Sequence, residues 1–403
     1  MVKDWENTTI GNLFTFKNGL NKSKEFFGQG TPIVNYMDVY KNRGIHAEQI
    51  LGRVTLSTEE INRFDVQKGD VFFTRTSETP EEVGYSSVML DDITDCVFSG
   101  FVLRGRPITD KLDILFCQYV FMNETIRKAI ISSCTYTTRA LTNGTQLSAI
   151  EIQLPDKSEQ HRIAETLSDT DELITTLEKL IAKKRTIKQG AMQELLTGKR
   201  RLPGFSGEWV EKKVSDFGVI VTGATPSTSV AEYWNGNIPW VTPTDISVSK
   251  DIFITERMIT EYGLSVIREL PANTLLITCI ASIGKNTILR SIGASNQQIN
   301  AIIPKADYNV DFLYYLFEIN KTYLLGKAGQ TATSIISKQD FSEFIFTVPC
   351  NLPEQTAIAS ILSDMDAEID VLTAKLNKFR NIKQGMMSEL LTGRIRLLEQ
   401  EMR

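Results

Sequence analysis

Residues 159–202 read EQHRIAETLSDTDELITTLEKLIAKKRTIKQGAMQELLTGKRRL, and residues 354–397 repeat them as EQTAIASILSDMDAEIDVLTAKLNKFRNIKQGMMSELLTGRIRL. The two stretches are identical at 24 of 44 aligned positions, among them the run Ile-Lys-Gln-Gly at 187–190 and 382–385. A long internal repeat indicates a duplicated architecture. Two copies are too few for a solenoid, so the sequence predicts a molecule of pseudo-two-fold design.

Both copies are predicted to form long helices. In each, apolar residues recur at spacings of three and four, and a glycine suited to a helix end follows at Gly198 or Gly393. A helix of about 35 residues spans about 50 Å. Gly190 and Gly385 interrupt the helices at the same place, each at about 1 kcal/mol relative to alanine. This predicts a kink or a close helix contact at both glycines.

The charge gradient along each helix predicts how the helices pair. Residues 151–178 carry eight acids and two bases, residues 181–201 carry seven bases and one acid, and the second copy repeats this order. Complementarity to the helix dipole is a local explanation. Antiparallel pairing, however, places the acidic half of each helix beside the basic half of the other, whereas parallel pairing places like charges together. We therefore expect an antiparallel coiled coil.

The repeats divide the chain into four parts. The variable domains, residues 1–152 and 205–348, alternate with the helical segments, residues 153–204 and 349–403. Alternating strand-like runs and helical stretches predict an α+β fold, with mixed twisted sheets in each variable domain. The domains share only short matches, such as Asn-Gly at 18–19 with Thr-Gly at 222–223.

One predicted strand covers residues 97–103. Two large apolar residues, Phe101 in this strand and Trp240 in the second domain, are predicted to belong to the cores.

Composition narrows the class of protein. The 403 residues are 42% hydrophobic, and no apolar run approaches the roughly 20 residues of a membrane helix. The N-terminus lacks a signal-peptide stretch, and five scattered cysteines without a C-x-x-C pair indicate buried free thiols, so we expect a cytoplasmic protein. A net charge of −5 argues mildly against a free-standing nucleic-acid binder, unless a partner supplies positive charge.

Motifs of the common enzyme chemistries are absent from the sequence. It contains no G-x-x-x-x-G-K-[ST], no G-x-G-x-x-G and no Asn/Asp-Pro-Pro-Tyr/Phe of the kind that base-methylating enzymes use. The only histidines, His46 and His161, are too few for a zinc site or a histidine-based triad. The sequence therefore indicates no phosphate-binding loop, and we expect neither a zinc site nor a histidine-based triad.

Polar loops follow the predicted strands in both variable domains. Arginine and lysine suit guanine, asparagine and glutamine suit adenine, and serine and threonine suit phosphate. For any single residue, a capped and solvated turn is the alternative explanation. The residues predicted to contact DNA are Arg75, Thr76, Ser77, Thr79, Tyr136, Thr138, Arg139, Asn143, Thr225, Ser227, Thr242, Thr244, Ser282, Lys285, Asn286, Gln297, Gln298, Thr331, Thr333 and Ser334.

Over essentially its whole length the chain resembles the DNA-specificity subunit of type I restriction–modification systems. The resemblance rests on the duplicated segment at 159–198 and 354–393, and on the motifs G-A-T-P-S…Y-W-N-G-N-I-P-W…D-I, P-x-x-T-L-L-I-T…S-I-G and N-Q-Q-I-N-A-I at 223–246, 271–284 and 296–302. The first domain shows G-D-V-F-F-T-R-T-S-E at 69–78 but lacks the G-x-T-P-S and I-P-W signatures. We therefore expect the two domains to read unrelated sequences.

The resemblance implies a role for each part of the chain. Each variable domain would be a target recognition domain that reads one half of a bipartite site in double-stranded DNA. The helices would set the spacing between the halves and dock two modification subunits, which bind S-adenosylmethionine and methylate adenine at N6. Two restriction subunits would add translocation and cleavage that require ATP and Mg²⁺. This chain itself would hold no cofactor and catalyse nothing.

Helix residues divide between spacing and docking in this scheme. The four basic residues Lys183, Lys184, Arg185 and Lys188 are expected to face partner protein or phosphate. The residues predicted to form the spacer and partner-binding helices are Ile174, Leu177, Ile181, Lys184, Gln189, Leu195, Ile369, Leu372, Leu376, Phe379, Gln384 and Leu390.

Two alternatives remain open at this point. In the first, the chain is a structural scaffold: the repeats only assemble partners, and the variable domains bind protein instead of DNA. The chain is also compatible with a specificity subunit that serves a different nuclease or methylase system. The DNA target and the spacer length do not follow from the sequence, because base readout depends on loop geometry.

Overall fold

A computed structural model describes residues 4–246, 249–327 and 335–397. The chain forms two compact units, unit 1 from Met1–Glu178 with Lys375–Arg403 and unit 2 from Lys179–Ala374. Each unit combines one variable domain with the first half of one repeated helix and the second half of the other. In the described ranges, no helix is both long and apolar enough to cross a membrane.

The first variable domain is built from short strands and short helices. Its strands are Glu6–Thr9 (β1), Phe14–Asn18 (β2), Phe27–Val34 (β3), Gly44–Ile45 (β4), Arg53–Val54 (β5), Val71–Thr74 (β6), Thr76–Ser77 (β7), Ser86–Met89 (β8), Val97–Phe98 (β9), Val102–Pro107 (β10), Thr135–Tyr136 (β11), Ala140–Leu141 (β12) and Glu151–Leu154 (β13). Its helices are Tyr36–Lys41 (α1), Thr58–Arg63 (α2), Glu124–Ser133 (α3) and Gly144–Ser148 (α4).

The centre of this domain is a five-stranded sheet in the order β2-β10-β6-β8-β4. Strand β6 is buried on both faces, and its sequence, Val-Phe-Phe-Thr, accordingly does not alternate between apolar and polar residues. Phe73 of β6 packs edge to face on Phe121, with ring centroids 5.1 Å apart, inside the larger core. Three smaller sheets, β5-β3-β9, β11-β12-β7 and β1-β13, surround it.

The first repeated helix, Lys157–Leu195 (α5), leads to the second variable domain. The strands of that domain are Trp209–Lys213 (β14), Gly218–Thr222 (β15), Trp234–Val241 (β16), Asp251–Ile252 (β17), Met258–Ile259 (β18), Thr274–Thr278 (β19), Asn286–Leu289 (β20), Ala294–Ser295 (β21), Ile299–Pro304 (β22) and Ile345–Pro349 (β23). Its helices are Val214–Phe217 (α6), Glu261–Ser265 (α7), Val310–Ile319 (α8), Lys321–Lys327 (α9) and Lys338–Ser342 (α10), and the second repeated helix is Leu352–Leu390 (α11).

Three of the four sheets in the first variable domain recur in the second with the same strand order. The order β15-β22-β19-β20-β17 repeats β2-β10-β6-β8-β4, and β18-β16-β21 repeats β5-β3-β9. The outermost pair, β14 with β23, repeats β1 with β13. The predicted α+β fold class is confirmed. The duplication also includes the variable domains, a similarity that their sequences show only in short matches.

A counterpart of the I-P-W signature is present in the first domain. Strand β3 (FGQGTPIV) and strand β16 (WNGNIPWV) each carry an aromatic residue first, a proline sixth and a valine last. Both strands contain the same irregularity in pairing, between Phe27 and Thr31 in one and between Trp234 and Ile238 in the other. The signature is therefore absent as a string of letters but present as a structure.

A capped turn follows each of these strands. The backbone N–H of Asn35 donates to the Asp38 carboxylate at 2.8 Å, and that of Thr242 donates to the Asp245 carboxylate at 2.7 Å. In the first domain the cap starts helix α1 directly after the strand. The short matches V-N-x-x-D and V-T-x-x-D thus mark the same turn.

Ion pairs fix the direction of the repeated helices within each unit. As the residue number rises along α5, the number of its partner in α11 falls, so the helices run antiparallel, as the charge gradient predicts. The pairs are Asp171–Lys383 and Glu178–Arg380 in unit 1, and Lys184–Glu368 and Lys188–Asp366 in unit 2.

The two helix glycines make no close contact inside the chain. Helices α5 and α11 continue through Gly190 and Gly385. A Cβ added at either glycine meets no described atom within 4 Å. The predicted close helix contact is therefore wrong within the described chain, and intrachain packing gives no reason for glycine there.

The cysteines differ in exposure. Cys96, Cys117 and Cys279 are buried, and burial raises the pKa of the first two thiols to about 12 and of the third to about 11. Cys134 is half-buried and Cys350 is exposed. The prediction of buried thiols holds for three of the five and is wrong for Cys350.

Candidate functional site

Each variable domain makes a tight turn beside its central sheet, Ser99–Phe101 between β9 and β10 and Asn296–Gln298 between β21 and β22. The N–H of Ser99 donates to the Val34 carbonyl at 2.9 Å. In the second domain, the N–H of Asn296 donates to the Val241 carbonyl at 2.9 Å. The two turns are therefore hydrogen-bonded to equivalent strands, β3 and β16.

The last residue of each turn is also held in the same way. The carbonyl of Phe101 accepts from the N–H of Arg75 at 3.1 Å, and the carbonyl of Gln298 accepts from the N–H of Cys279 at 2.9 Å. Both donors directly follow the central strands β6 and β19. Phe101 and Gln298 thus occupy one position in the common fold.

Glycines allow the preceding segment to approach these turns. A Cβ on Gly19 would lie 2.1 Å from the carbonyl oxygen of Ser99, and one on Gly223 would lie 2.2 Å from that of Asn296. No side chain fits at such distances, so only glycine is accommodated. This explains why Asn-Gly and Thr-Gly are among the few matches between the domains.

In unit 1, several predicted DNA-contacting residues lie around the turn. Strand β12 pairs with β7, placing Ala140 opposite Ser77 and Leu141 opposite Thr76. Arg75 precedes β7, and Tyr136 and Arg139 belong to the exposed β11–β12 hairpin. A cleft of about 340 Å³ is lined by Tyr36, Tyr40, Thr76, Ser77, Glu78, Glu82, Phe101 and Arg139.

Other predicted residues of unit 1 serve as turn caps or lie at its edge. The Ser77 hydroxyl is buried and donates to Glu82 at 3.0 Å. The Asn143 side chain accepts from the N–H of Gln146 at 3.0 Å and caps α4. Thr79 is exposed before a short 3₁₀ turn, and Thr138 is exposed in the hairpin.

The prediction that Phe101 belongs to the core is wrong. The predicted strand at 97–103 breaks into β9 and β10, and Phe101 lies in the turn with 64% of its surface exposed. The break arises because the N–H of Phe101 donates to the Ser99 hydroxyl at 3.3 Å, which closes the turn. Trp240, predicted to be core, is 3% exposed.

In unit 2, side chains interlock across the corresponding turn. The Thr225 hydroxyl donates to the Gln297 amide oxygen at 2.6 Å. The Asn296 amide nitrogen donates to the Gln298 amide oxygen at 3.1 Å. Gln297 is exposed and Gln298 half-buried. The structure therefore brings Thr225, Gln297 and Gln298 together.

The remaining predicted residues of unit 2 are dispersed. Ser227 bonds to Ser229 at 2.8 Å, and Thr242 bonds to Thr244 at 2.7 Å, both within local turns. The half-buried Ser282 accepts through its carbonyl from the Thr278 hydroxyl. The last three predicted residues, Thr331, Thr333 and Ser334, lie outside the described residues.

Lys285 and Asn286 line a different cleft, of about 540 Å³, against α8 and α11. Lys285 is exposed. Asn286 is buried, and its amide nitrogen donates to the Tyr314 carbonyl at 3.4 Å. Asn286 therefore has little surface to present to a nucleic acid.

Two tyrosines that the sequence analysis did not single out, one in each unit, join the variable domain to the repeated helices of the same unit. The buried Tyr119 hydroxyl donates to Asp171 at 3.0 Å, and Lys383 pairs with the same carboxylate. Burial raises the pKa of Tyr119 to about 12. The Arg43 guanidinium and the Lys383 ammonium each lie 5.9 Å from the Tyr119 ring centroid.

Unit 2 repeats this cluster. The buried Tyr315 hydroxyl donates to Asp366 at 2.6 Å, and Lys188 pairs with that carboxylate. Lys188 and Lys250 lie 5.3 and 5.4 Å from the ring centroid, and burial raises the pKa of Tyr315. The signal in the sequence is weak, a Tyr-Val-Phe at 119–121 against Tyr-Leu-Phe at 315–317.

The Glu-Gln pair that begins each repeat is buried. Gln160 donates to the carbonyls of Lys111 and Pro155, both at 2.9 Å, which attaches the helix start to its own variable domain. Glu159 and Glu354 each form a two-bonded ion pair, with Arg396 and with Arg201. The repeat is therefore retained at these positions by contacts inside the chain.

The predicted helix residues fall into three classes of exposure. Six are buried: Leu177, Ile181, Leu195, Ile369, Leu376 and Leu390. Four are half-buried: Ile174, Lys184, Leu372 and Phe379. The exposed members, Gln189 and Gln384, belong to the identical Ile-Lys-Gln-Gly runs, whose isoleucines are 46% and 40% exposed.

The basic residues of α5 also divide. Lys184 and Lys188 pair with acids of α11. Lys183 and Arg185 are exposed on the helix surface. Across the part of the chain that the structure describes, no group of three histidine, cysteine or acidic side chains is placed to hold a metal.

Comparison with known proteins identifies a family. Residues 2–189 and 206–380 both match the type I restriction modification DNA specificity domain. The chain is 36% identical to the type I restriction enzyme MjaIX specificity subunit of Methanocaldococcus jannaschii over 169 residues, which are 40% of this chain and only 39% of that protein. It is 25% identical to the putative MjaX specificity subunit of the same organism over 98% of this chain and 94% of that protein.

Solved structures share the fold. The type I restriction–modification S subunit from M. genitalium matches with a TM-score of 0.62 and 16% identity, over 96% of each chain. The HsdS subunit from Thermoanaerobacter tengcongensis matches with a TM-score of 0.53 and 16% identity, over 98% of each chain. At these identities the likeness concerns the fold alone.

Proposed function

This chain belongs to the family of type I restriction modification DNA specificity domains, and we propose that it is the non-catalytic subunit through which such a system selects its DNA. Each variable domain is a target recognition domain for one half of a bipartite site. The observation that carries this proposal is that one topology positions the same turn twice, with unlike side chains at it.

Exposed and half-buried side chains around the two turns enter the grooves of double-stranded DNA. Arg139 and Tyr136 present this chemistry in the first domain, and Gln297 and Gln298 present it in the second. Guanidinium and amide groups are the side chains best suited to guanine and adenine edges. Because the two sets differ, the half-sites differ in sequence.

The antiparallel helices set the distance between the half-sites. Each has 39 residues, a length of about 58 Å at about 1.5 Å per residue. One turn of DNA is about 34 Å. A spacer of this size fits two short specific blocks separated by several unread base pairs.

Two modification subunits dock on the Ile-Lys-Gln-Gly runs, whose isoleucines, glutamines and glycines are exposed. Gly190 and Gly385 weaken their helices and contact nothing described in the chain, so the close approach of a partner is the remaining physical reason for glycine. The modification subunits bind S-adenosylmethionine and methylate adenine. Two restriction subunits, with ATP and Mg²⁺, complete the complex in the cytoplasm.

The test uses the chain assembled with the modification subunits of its own system. The methylated motif is determined by sequencing, and protected base pairs are mapped by footprinting. We expect two short blocks around an unread spacer. One continuous block contradicts the spacing role of the helices. Exchange of residues 1–152 for another member's domain separates DNA reading from a scaffold role, since a scaffold leaves the motif unchanged.

A further inference from the structure

We infer that Phe101 is a specificity-determining residue of the first recognition domain, and that its ring contacts the C5-methyl group of a thymine in the major groove. This inference rests on the proposed function. It adds the base feature that one named side chain reads.

Phe101 and Gln298 occupy equivalent positions in the two variable domains. Backbone hydrogen bonds place Phe101 where the second domain has Gln298, at the end of the turn that follows β9 or β21. Gln298 and its neighbour Gln297 carry the chemistry that pairs with adenine. A phenyl ring at the same position has no hydrogen-bond donor or acceptor to offer.

The Phe101 ring is exposed in a cleft lined mainly by polar side chains. Phe101 is 64% exposed, and its cleft is shared with the predicted DNA-contacting residues Thr76 and Arg139. A single exposed aromatic residue is common on protein surfaces and carries no argument by itself. Here, however, the ring lies at the turn where the other domain presents amides. Its cleft holds the Arg139 guanidinium and the Thr76 hydroxyl beside the carboxylates of Glu78 and Glu82.

An exposed phenyl ring requires an apolar group on the DNA as its partner. Among the base edges in the major groove, the thymine methyl is the apolar group that a phenyl ring contacts favourably. The turn that carries Phe101 is closed by the Ser99 hydroxyl and by the Arg75 N–H. The ring is thus presented from a fixed backbone, as required for a contact that discriminates between bases.

The experiment uses the complex with modification subunits and DNA of its own motif. Each thymine of the first half-site is replaced in turn by deoxyuridine, which removes only the methyl group. We expect one replacement to weaken binding about fourfold, the effect of one buried methyl group. With Phe101→Ala, binding is weaker overall and that replacement has no further effect.

Phe253→Ala is the matched control, because Phe253 is 61% exposed in the second domain and outside its turn. This variant should keep the response to deoxyuridine. In Phe101→Gln, the methylated motif should change in the first half-site and stay constant in the second. Thermal unfolding of each free variant verifies the fold.

Three results overturn the inference. The first is a deoxyuridine response in Phe101→Ala equal to that of the wild type, and the second is a wild-type complex whose binding no replacement weakens. The third is base unstacking that depends on Phe101. The last, measured with 2-aminopurine, would make the ring a wedge between bases. If the wild-type complex binds no bipartite site, the proposed function itself fails. If it binds one and Phe101 variants are indistinguishable from it, only the present inference fails.

Discussion

Arg396 donates two hydrogen bonds of 2.7 Å to the fully buried carboxylate of Glu159, which begins the other copy of the repeat. Arg396→Met leaves that carboxylate buried without its cation, and we expect a loss of about 3–5 kcal/mol in unfolding free energy. Urea denaturation measures it. Arg394→Met is the control, since Arg394 is largely exposed and its loss should change stability by less than about 1 kcal/mol.

Exchanging charges tests the antiparallel pairing in unit 1. Asp171→Lys places a second cation beside Lys383 and removes the acceptor of the Tyr119 hydroxyl, so stability should fall. Adding Lys383→Asp restores the opposite charges and should recover part of the loss, as a double-mutant cycle detects. Glu178→Lys, at an exposed pair, should have a small effect. Equal losses in the single and double variants would contradict the pairing.

Alanine at the helix glycines separates stability from assembly. Gly190→Ala and Gly385→Ala meet no described atom, so each should stabilise the free chain by about 0.5–1 kcal/mol. If partners approach these glycines, the same variants should bind the modification subunits more weakly. Calorimetry of the free chain and titration of the subunits give the two values. Unchanged assembly would remove the glycines from the docking surface.

Gly19→Ala serves as the opposite case. Its Cβ would lie 2.1 Å from the Ser99 carbonyl oxygen, so the turn must move, and we expect destabilisation of about 1–3 kcal/mol. Chemical denaturation measures the change. Stability equal to that of the wild type would show that the close approach at this turn is not needed.

Each repeat contains both partners of the ion pairs. Glu159 and Arg201 belong to the first copy, as do Asp171 and Lys188. Each of these four residues pairs with a residue of the second copy: Glu159 with Arg396, Arg201 with Glu354, Asp171 with Lys383 and Lys188 with Asp366. A chain of residues 1–204 should therefore form a dimer through two antiparallel copies of α5, with a mass that sedimentation determines. Lys188→Glu should shift this dimer towards monomer. A wild-type half-chain that stays monomeric at tens of micromolar would contradict the self-complementarity.

Thiol reactivity follows burial. At pH 8 a thiol reagent should label the exposed Cys350 first and Cys134 next, while Cys96, Cys117 and Cys279 react only after unfolding. Since folding raises the pKa of the buried thiols, their contribution to stability is complete below about pH 9 and is lost as pH rises towards 12. Mass spectrometry of labelled peptides checks the order of reaction.

The helices were predictable because their signals are local and repeated. Apolar spacing defines α5 and α11, and the charge gradient gives their direction, since opposite charges on facing helices are read directly from the chain. Two predictions from single residues failed for a physical reason: Gly190 contacts nothing described, and Phe101 lies in a turn closed by one hydroxyl. The spacing of residues along the chain encodes neither the surroundings of Gly190 nor those of the Phe101 side chain.

The relationship between the variable domains was hidden for a different reason. Their common turn is held by backbone groups such as the carbonyls of Val34 and Val241, which any residue supplies. Only the glycines at 19 and 223, a proline and a capping aspartate are constrained in type. The DNA contacts predicted at Thr331, Thr333 and Ser334 fall outside the described residues and stay predictions.

The main-chain hydrogen bonds of the two turns also determine which substitutions the protein tolerates there. Substituting Phe101 or Gln298 removes none of the main-chain hydrogen bonds that hold either turn. New side chains are therefore tolerated at both positions with little effect on folding, and under the proposed function each domain can change its target independently of the other.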